Sequence, residues 1–190
     1  MSDKRKVILV TDGDRVAQHV IEYVARKFGG RCISLSAGNP TFISGAEIVR
    51  LIKAAPYDPV FVMLDDKGKR LKGPGESALE YIVKNSDIDV IGVIAVASNT
   101  EAVNGVKVDC SITRDGQETT GAVDKNGYPT GAAILSGDTV DILSRLSVPV
   151  IVGIGDIGKM DGLDSLEKGA PITTKAINKI LCKGDALNGN

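Results

Sequence analysis

The sequence predicts an α/β fold: a mostly parallel sheet with helices on both faces in a three-layer arrangement, and a small β-hairpin elaboration in the C-terminal half. Three observations carry that expectation. Short apolar runs at residues 7–11, 60–64, 90–96 and 149–154 stop at acidic or turn residues, as buried parallel strands do. Segments of helical period lie between the first of these runs. After Ala97 the pattern changes to alternating residues rich in Thr and Gly.

The first strand, residues 7–11 (VILVT), runs into Asp12-Gly13-Asp14. Residues 15–28 then place Val16, Val20, Ile21, Val24 and Phe28 on one helical stripe, and Gly29-Gly30 stops it. His19 falls on the opposite side and reads as exposed. Residues 31–35 form a short second strand. Ser44 and Glu47 have capping-box spacing in front of Ile48, Leu51, Ile52 and Ala55, and Pro56 ends that helix. The third strand, 60–64, delivers Asp65-Asp66. A helix at 76–84 buries Leu79, Ile82 and Val83 before the fourth strand at 90–96.

Residues 106–135 read as a β-rich insertion, with Asp115-Gly116 and Asn126-Gly127 as turn signals. Residues 138–146 resume a helical pattern, and 149–154 form a fifth strand. Pro171 opens a last helix whose Ile172, Ala176, Ile177, Ile180 and Leu181 face inward; Gly184 closes it and leaves 184–190 as a frayed tail. With no internal repeat or linker, the 190 residues read as a single domain.

Composition excludes several classes of function. A net charge of −1 exerts no long-range pull on nucleic acid, which is not an expected partner. No apolar run approaches the roughly 18 residues of a membrane span. The run after the charged residues 1–6 is too short for a signal-peptide core, so the expectation is a protein made in the cytoplasm. Cys32, Cys110 and Cys182 are widely spaced, with neither a disulfide framework nor zinc-ligand spacing. The one histidine, His19, offers no Ser-His-Asp or Cys-His arrangement.

Parallel strands bring their carboxyl ends to one side, where α/β sheets bind ligands. Asp12, Asp14, Asp65 and Asp66 therefore converge in expectation on one edge. Crowded carboxylates repel unless a cation or hydrogen-bond donors neutralise them, which points to a divalent cation, Mg²⁺ or Ca²⁺, held by oxygen ligands. The competing reading makes Asp14 only an N-cap and Asp65-Asp66 only a turn.

Two further segments carry charge or glycine in suggestive patterns. Residues 153–159 (GIGDIGK) match G-x-G-x-x-G formally, without a helix starting there or an acid about 20 residues on, so a tight loop competes with nucleotide binding. Gly153, Gly155 and Gly158 could instead expose N–H groups as an anion nest beside Lys159. Lys67, Lys69, Arg70 and Lys72 form a basic run next to Asp65-Asp66 that reads as a solvated loop, or as a contact for an anion, an acidic partner or lipid headgroups.

The acidic edge resembles the Toprim family of metal-dependent nucleotidyl-transfer and hydrolysis domains over about residues 7–97. That resemblance implies a four-stranded parallel sheet and phosphoryl chemistry. Asp12 stands where Toprim enzymes carry glutamate, and Lys67 where the second aspartate of their D-x-D motif falls. Over most of its length the chain looks like the stage V sporulation protein AE family of endospore formers. Residues 7–14 (VILVTDGD), 29–40 (GGRCISLSAGNP), 55–63 (APYDPVFVM), 91–99 (IGVIAVASN) and 148–160 (VPVIVGIGDIGKM) carry the match. The resemblance implies a soluble, non-catalytic accessory of the apparatus that moves calcium dipicolinate across the spore inner membrane in sporulation and germination. Its implied partners are the membrane-embedded stage V sporulation proteins, with peripheral membrane contact. It carries no catalytic residue over to this chain.

Overall fold

The computed structural model describes residues 4–68, 72–99 and 104–188, with side chains up to residue 183. The N-terminal half alternates β1 (Arg5–Val10), α1 (Arg15–Lys27), β2 (Arg31–Cys32), α2 (Gly45–Ala54), β3 (Val60–Met63), α3 (Pro74–Val83) and β4 (Ile88–Val96). Four short strands follow, β5 (Val106–Lys107), β6 (Cys110–Ile112), β7 (Glu118–Thr119) and β8 (Ile134–Leu135). The chain ends with β9 (Ile151–Ile154) and α4 (Pro171–Asn188).

Seven strands form one sheet in the order β2-β3-β1-β4-β9-β6-β7, parallel throughout except for the β6/β7 pair. Successive residues of a strand face opposite sides, so β1 serves two cores. Val7 and Leu9 pack with Ile48 and Ile52 of α2 and Leu79 and Ile82 of α3. Ile8 and Val10 pack with Val20, Ile21 and Val24 of α1 and Ile177 and Ile180 of α4. All four of these strand residues are fully buried. The right-handed crossovers from β1 to β2 and from β3 to β4 travel in opposite directions, which places α1 and α3 on opposite faces. The chain therefore divides between β1 and β3, and a crevice opens where their loops part.

Buried or half-buried carboxylates start three of the helices. Asp14 caps α1 by accepting from Ala17 N at 2.8 Å. Asp66 caps α3 from nine residues away, accepting from Gly75 N at 2.7 Å and Glu76 N at 2.9 Å. Asp164, fully buried, accepts from Ile172 N and Thr173 N, from the Thr173 hydroxyl, and from Gly158 N. Ser44 caps α2 through Glu47 N, but Glu47 turns to Arg50 instead of back to the cap, so the box is half made.

The structure departs from the sequence reading at five places. The second strand stops at Cys32 and a 3₁₀ turn follows at Ser34–Ser36, because the Ser36 hydroxyl donates to Ile33 O and accepts from Met63 N. Val16 is 42% exposed at the rim of α1 rather than in its stripe. The β-rich stretch 106–135 divides between two sheets: β6 enters the main sheet beside β9, β7 closes its edge, and β5 with β8 forms a small second sheet. Residues 138–146 yield only the 3₁₀ turn Asp141–Arg145, whose Asp141 carboxylate is taken by Gly105 N and Asn104 N. The last helix runs through Gly184 to Asn188 instead of fraying there.

The four donors gathered by Asp164 give a prediction. Asp164→Ala strands buried N–H groups and should lower the unfolding free energy by about 3 kcal/mol or more in urea titration. A loss below about 1 kcal/mol would contradict this account of how α4 is held.

Candidate functional site

Beyond β1 the backbone ladder continues for one residue through Thr11. Thr11 N donates to Ile94 O at 3.1 Å, and Thr11 Oγ1 accepts from Val96 N at 2.9 Å. The chain then turns at Asp12-Gly13-Asp14, where Gly13 O accepts from Gly38 N at 2.9 Å. A Cβ on Gly13 would stand 2.5 Å from Gly38 O, so only glycine fits between the two aspartates. The loop after β3 is clipped by buried Thr41, which exchanges two hydrogen bonds of 2.9 Å with the Asp65 backbone.

These loops enclose a pocket of about 140 Å³ at the carboxyl edge of the sheet. β1 contributes Thr11, Asp12 and Asp14, and β3 contributes Asp65. β4 contributes Val96 and Ser98, and β9 contributes Asp156. Loops add Asn39 and Asp138. Lys159 reaches in with Nζ 2.7 Å from Asp14 Oδ2 and 3.7 Å from Asp156 Oδ2. Five aspartates thus meet one lysine.

Burial and neighbouring charge make that excess costly. Asp12 is half-buried and lines the pocket, and desolvation with the Asp14 charge pushes its pKa from 3.8 up to about 7. Burial, with the Asp138 and Asp66 charges, pushes Asp65 up to about 6. Burial and the Asp66 charge also raise Asp138, against a hydrogen bond from Gly68 N. Asp14 behaves oppositely. Burial works against its charge, but the Lys159 ammonium and Ala17 N outweigh it and hold the pKa below the usual range. Lys159 stays charged: burial opposes the ammonium, and Asp14 and Asp156 overcome that.

Of the residues singled out in the sequence, Asp12, Asp14, Asp65 and Lys159 come together here. Asp66 does not; both its oxygens are spent on the start of α3. Gly153, Gly155 and Gly158 serve packing. A Cβ on Gly153 would strike Ser111 Oγ; one on Gly155 would stand 2.7 Å from Lys125 O, and one on Gly158 2.8 Å from Val16. Gly158 N is already taken by Asp164, so it is not offered to an anion. Lys67 is exposed with its N–H on Asp65 Oδ1 at 2.8 Å, and Lys72 pairs with Glu80. Lys69 and Arg70 lie outside the described residues.

The sequence reading missed Asn39, Ser98, Asp138 and Asp156. Asp156 had a signal, because it follows β9 as Asp12 follows β1; Asp138, in a loop between short elements, had none. Among the described residues, no group of three or more His, Cys, Asp or Glu side chains is placed to hold a metal ion. A cation here would complete its shell with water or with ligand oxygens. Nothing nearby serves as a thiol nucleophile. Cys32 is buried, with its pKa pushed up to about 12 by desolvation, and burial raises Cys110.

Residues 6–184 match a family model described as stage V sporulation protein AE1. The chain belongs to that family. Its role therefore lies in sporulation. No curated protein and no solved structure matches the chain. No described helix of this sporulation protein is long and apolar enough to cross a membrane.

The raised pKa of Asp12 gives a pH prediction. The folded state holds a proton that the unfolded chain releases near 3.8, so this group's contribution is favourable below that pH and is lost as pH rises through about 7. Asp12→Asn removes the penalty. It should melt above wild type near pH 8, the gap shrinking toward about pH 4 in thermal scans. A gap that is constant with pH would show that Asp12 ionises freely.

Proposed function

We propose that this sporulation protein is a non-catalytic accessory of the apparatus that moves calcium dipicolinate across the spore inner membrane, and that its carboxylate pocket takes a divalent cation, Mg²⁺ or Ca²⁺. One observation carries the cation half. Asp12, Asp65 and Asp138 are held against their own ionisation by burial and neighbouring charge, a cost that a bound cation relieves. Membership of the family supports a role in sporulation, within which the dipicolinate apparatus is the setting we infer.

In this reading the protein works in the forespore, peripheral to the inner membrane, and its partners are the membrane-embedded stage V sporulation proteins. The basic run from Lys67 to Lys72 is the contact, through charge that pairs with acidic protein or anionic lipid. Lys72 is engaged with Glu80, so Lys67, Lys69 and Arg70 carry the attraction. A Toprim-type phosphoryl-transfer enzyme is the weaker reading. The aspartate pair that resembles its motif brings one carboxylate to the pocket, since Asp66 is spent as a helix cap.

Calorimetry with Mg²⁺ and Ca²⁺ should show one cation binding, weakened at least about tenfold in Asp65→Asn, which removes one charged ligand. No heat with either ion would sink the cation site. Co-purification with spore membranes should fall as salt is raised and fall further with Lys67, Lys69 and Arg70 changed to serine. Association indifferent to both would remove the basic run as the contact.

A further inference from the structure

Helices α2 and α3 lie side by side on one face of the sheet, and a groove of about 480 Å³ opens where they begin. Residues 41–46 form one wall, and α3 forms the other with Pro74, Ser77, Ala78 and Tyr81. The last three follow Pro74 at three, four and seven residues, so one side of α3 faces the groove. Two aromatic rings stand at it. Phe42 is 72% exposed and Tyr81 48%, and Phe42 is the most exposed large hydrophobic side chain among the described residues. Each lies against a glycine. A Cβ on Gly38 would stand 2.7 Å from the Phe42 ring, and one on Gly45 would stand 2.7 Å from Tyr81 Cβ. The chain thus gives up two side chains to seat rings that it leaves in water. A single exposed apolar residue is ordinary, but two seated rings beside an apolar groove mark a contact surface. Rings held in place beforehand lose little freedom when a partner covers them.

The charge around the groove says what fits it. Glu80, the residue before Tyr81, is met by two ammonium groups, those of Lys72 and Lys84, so this wall keeps one positive charge in excess. On the other wall Glu47 and Arg50 cancel. α2 also begins at the groove, where its dipole adds partial positive charge at Gly45 and Ala46. The occupant should therefore be apolar on one side and acidic beside it. A second copy of this chain would bring the same positive excess and be repelled. A bilayer surface is flat and does not enter a recess between two helices, whereas a third helix lays its side chains into one.

We propose that the groove between the starts of α2 and α3 docks an acidic amphipathic helix of a partner protein, with Phe42 and Tyr81 as its anchors. This rests on the reading of the protein as an accessory that works by contact, and it divides the labour of that contact. Charge on the basic run and on Lys72 and Lys84 steers the partner in, and the two rings hold it. Apolar side chains of the partner at helical spacing lie between the rings, and its acidic flank faces the lysines of α3.

The test places the photoreactive aromatic residue benzoylphenylalanine at position 42 of the full chain, irradiates sporulating cells, and sequences the cross-linked segment by mass spectrometry. Position 57 is the control, since Tyr57 is 62% exposed and outside the groove. The expected result is a cross-link from position 42, and not from 57, to a protein segment of net negative charge with a helical apolar stripe. A synthetic peptide of that segment should bind the purified chain, about tenfold or more weakly in Phe42→Ala and in Tyr81→Ser, and more weakly as salt is raised. Circular dichroism on both variants separates lost contact from lost fold. A cross-link to lipid, to a second copy of this chain or to a segment without acidic charge overturns the proposal, as does a yield no higher than at position 57. Spore-membrane co-purification that falls when Lys67, Lys69 and Arg70 become serine but is untouched in Phe42→Ala also overturns it, and leaves the accessory reading standing. The expected cross-link to a protein unconnected with the membrane keeps the groove and overturns that reading.

Discussion

Negative charge withdrawn from water at one edge of the sheet is the constraint around which the rest of this protein is arranged. Asp156 leans on Lys159; six other aspartates, Asp12, Asp14, Asp65, Asp66, Asp138 and Asp164, are buried or half-buried, and the fold handles them in two ways. Asp14, Asp66 and Asp164 are satisfied by backbone N–H groups at the starts of α1, α3 and α4, where unpaired donors and the helix dipole favour an anion. Asp12, Asp65 and Asp138 receive less and are pushed toward their neutral forms. The first group fixes where the helices begin. The second leaves an electrostatic debt concentrated in the pocket.

The hydroxyl groups of Thr11, Ser36 and Thr41 explain how so polar an edge stays ordered. Each lies below about 4% exposure and replaces a ladder partner where a strand has ended: Thr11 for Val96 N, Ser36 for Met63 N, Thr41 for Asp65 N. Backbone donors that would otherwise be stranded are paired in the interior, so the loops after β1, β2 and β3 are tied to neighbouring strands. Pocket geometry is thereby set by buried bonds rather than by surface ion pairs, which contribute little each.

Much of this was legible in the sequence because it depends on local pattern. The apolar runs of β1, β3, β4 and β9 and the stripes of α1, α2 and α4 declare themselves by period, and aspartates after parallel strands share an edge by topology alone. What escaped depends on partners distant in the chain. Asp65 and Asp66 are adjacent and chemically identical, yet one faces the pocket and the other reaches Gly75 and Glu76. Asp138 enters the site only because the loop after β8 folds back to Gly68 and Ser98. The short β2 and the parallel entry of β6 were hidden for a related reason, since two- and three-residue strands carry too few positions to show a period.

The sheet is also notable for how it stops. Its outer strands, β2 and β7, are two residues long; β2 presents exposed Arg31, and β7 presents Glu118, held by Lys179 at 2.8 Å. Between them lie strands as apolar as β1 and β3, sequences that in extended form would readily recruit copies of themselves. A short, charged border offers an approaching strand neither the length nor the neutrality to pair. The native protein is therefore protected against edge-to-edge aggregation, and it should remain dispersed when crowded for as long as those borders stay folded.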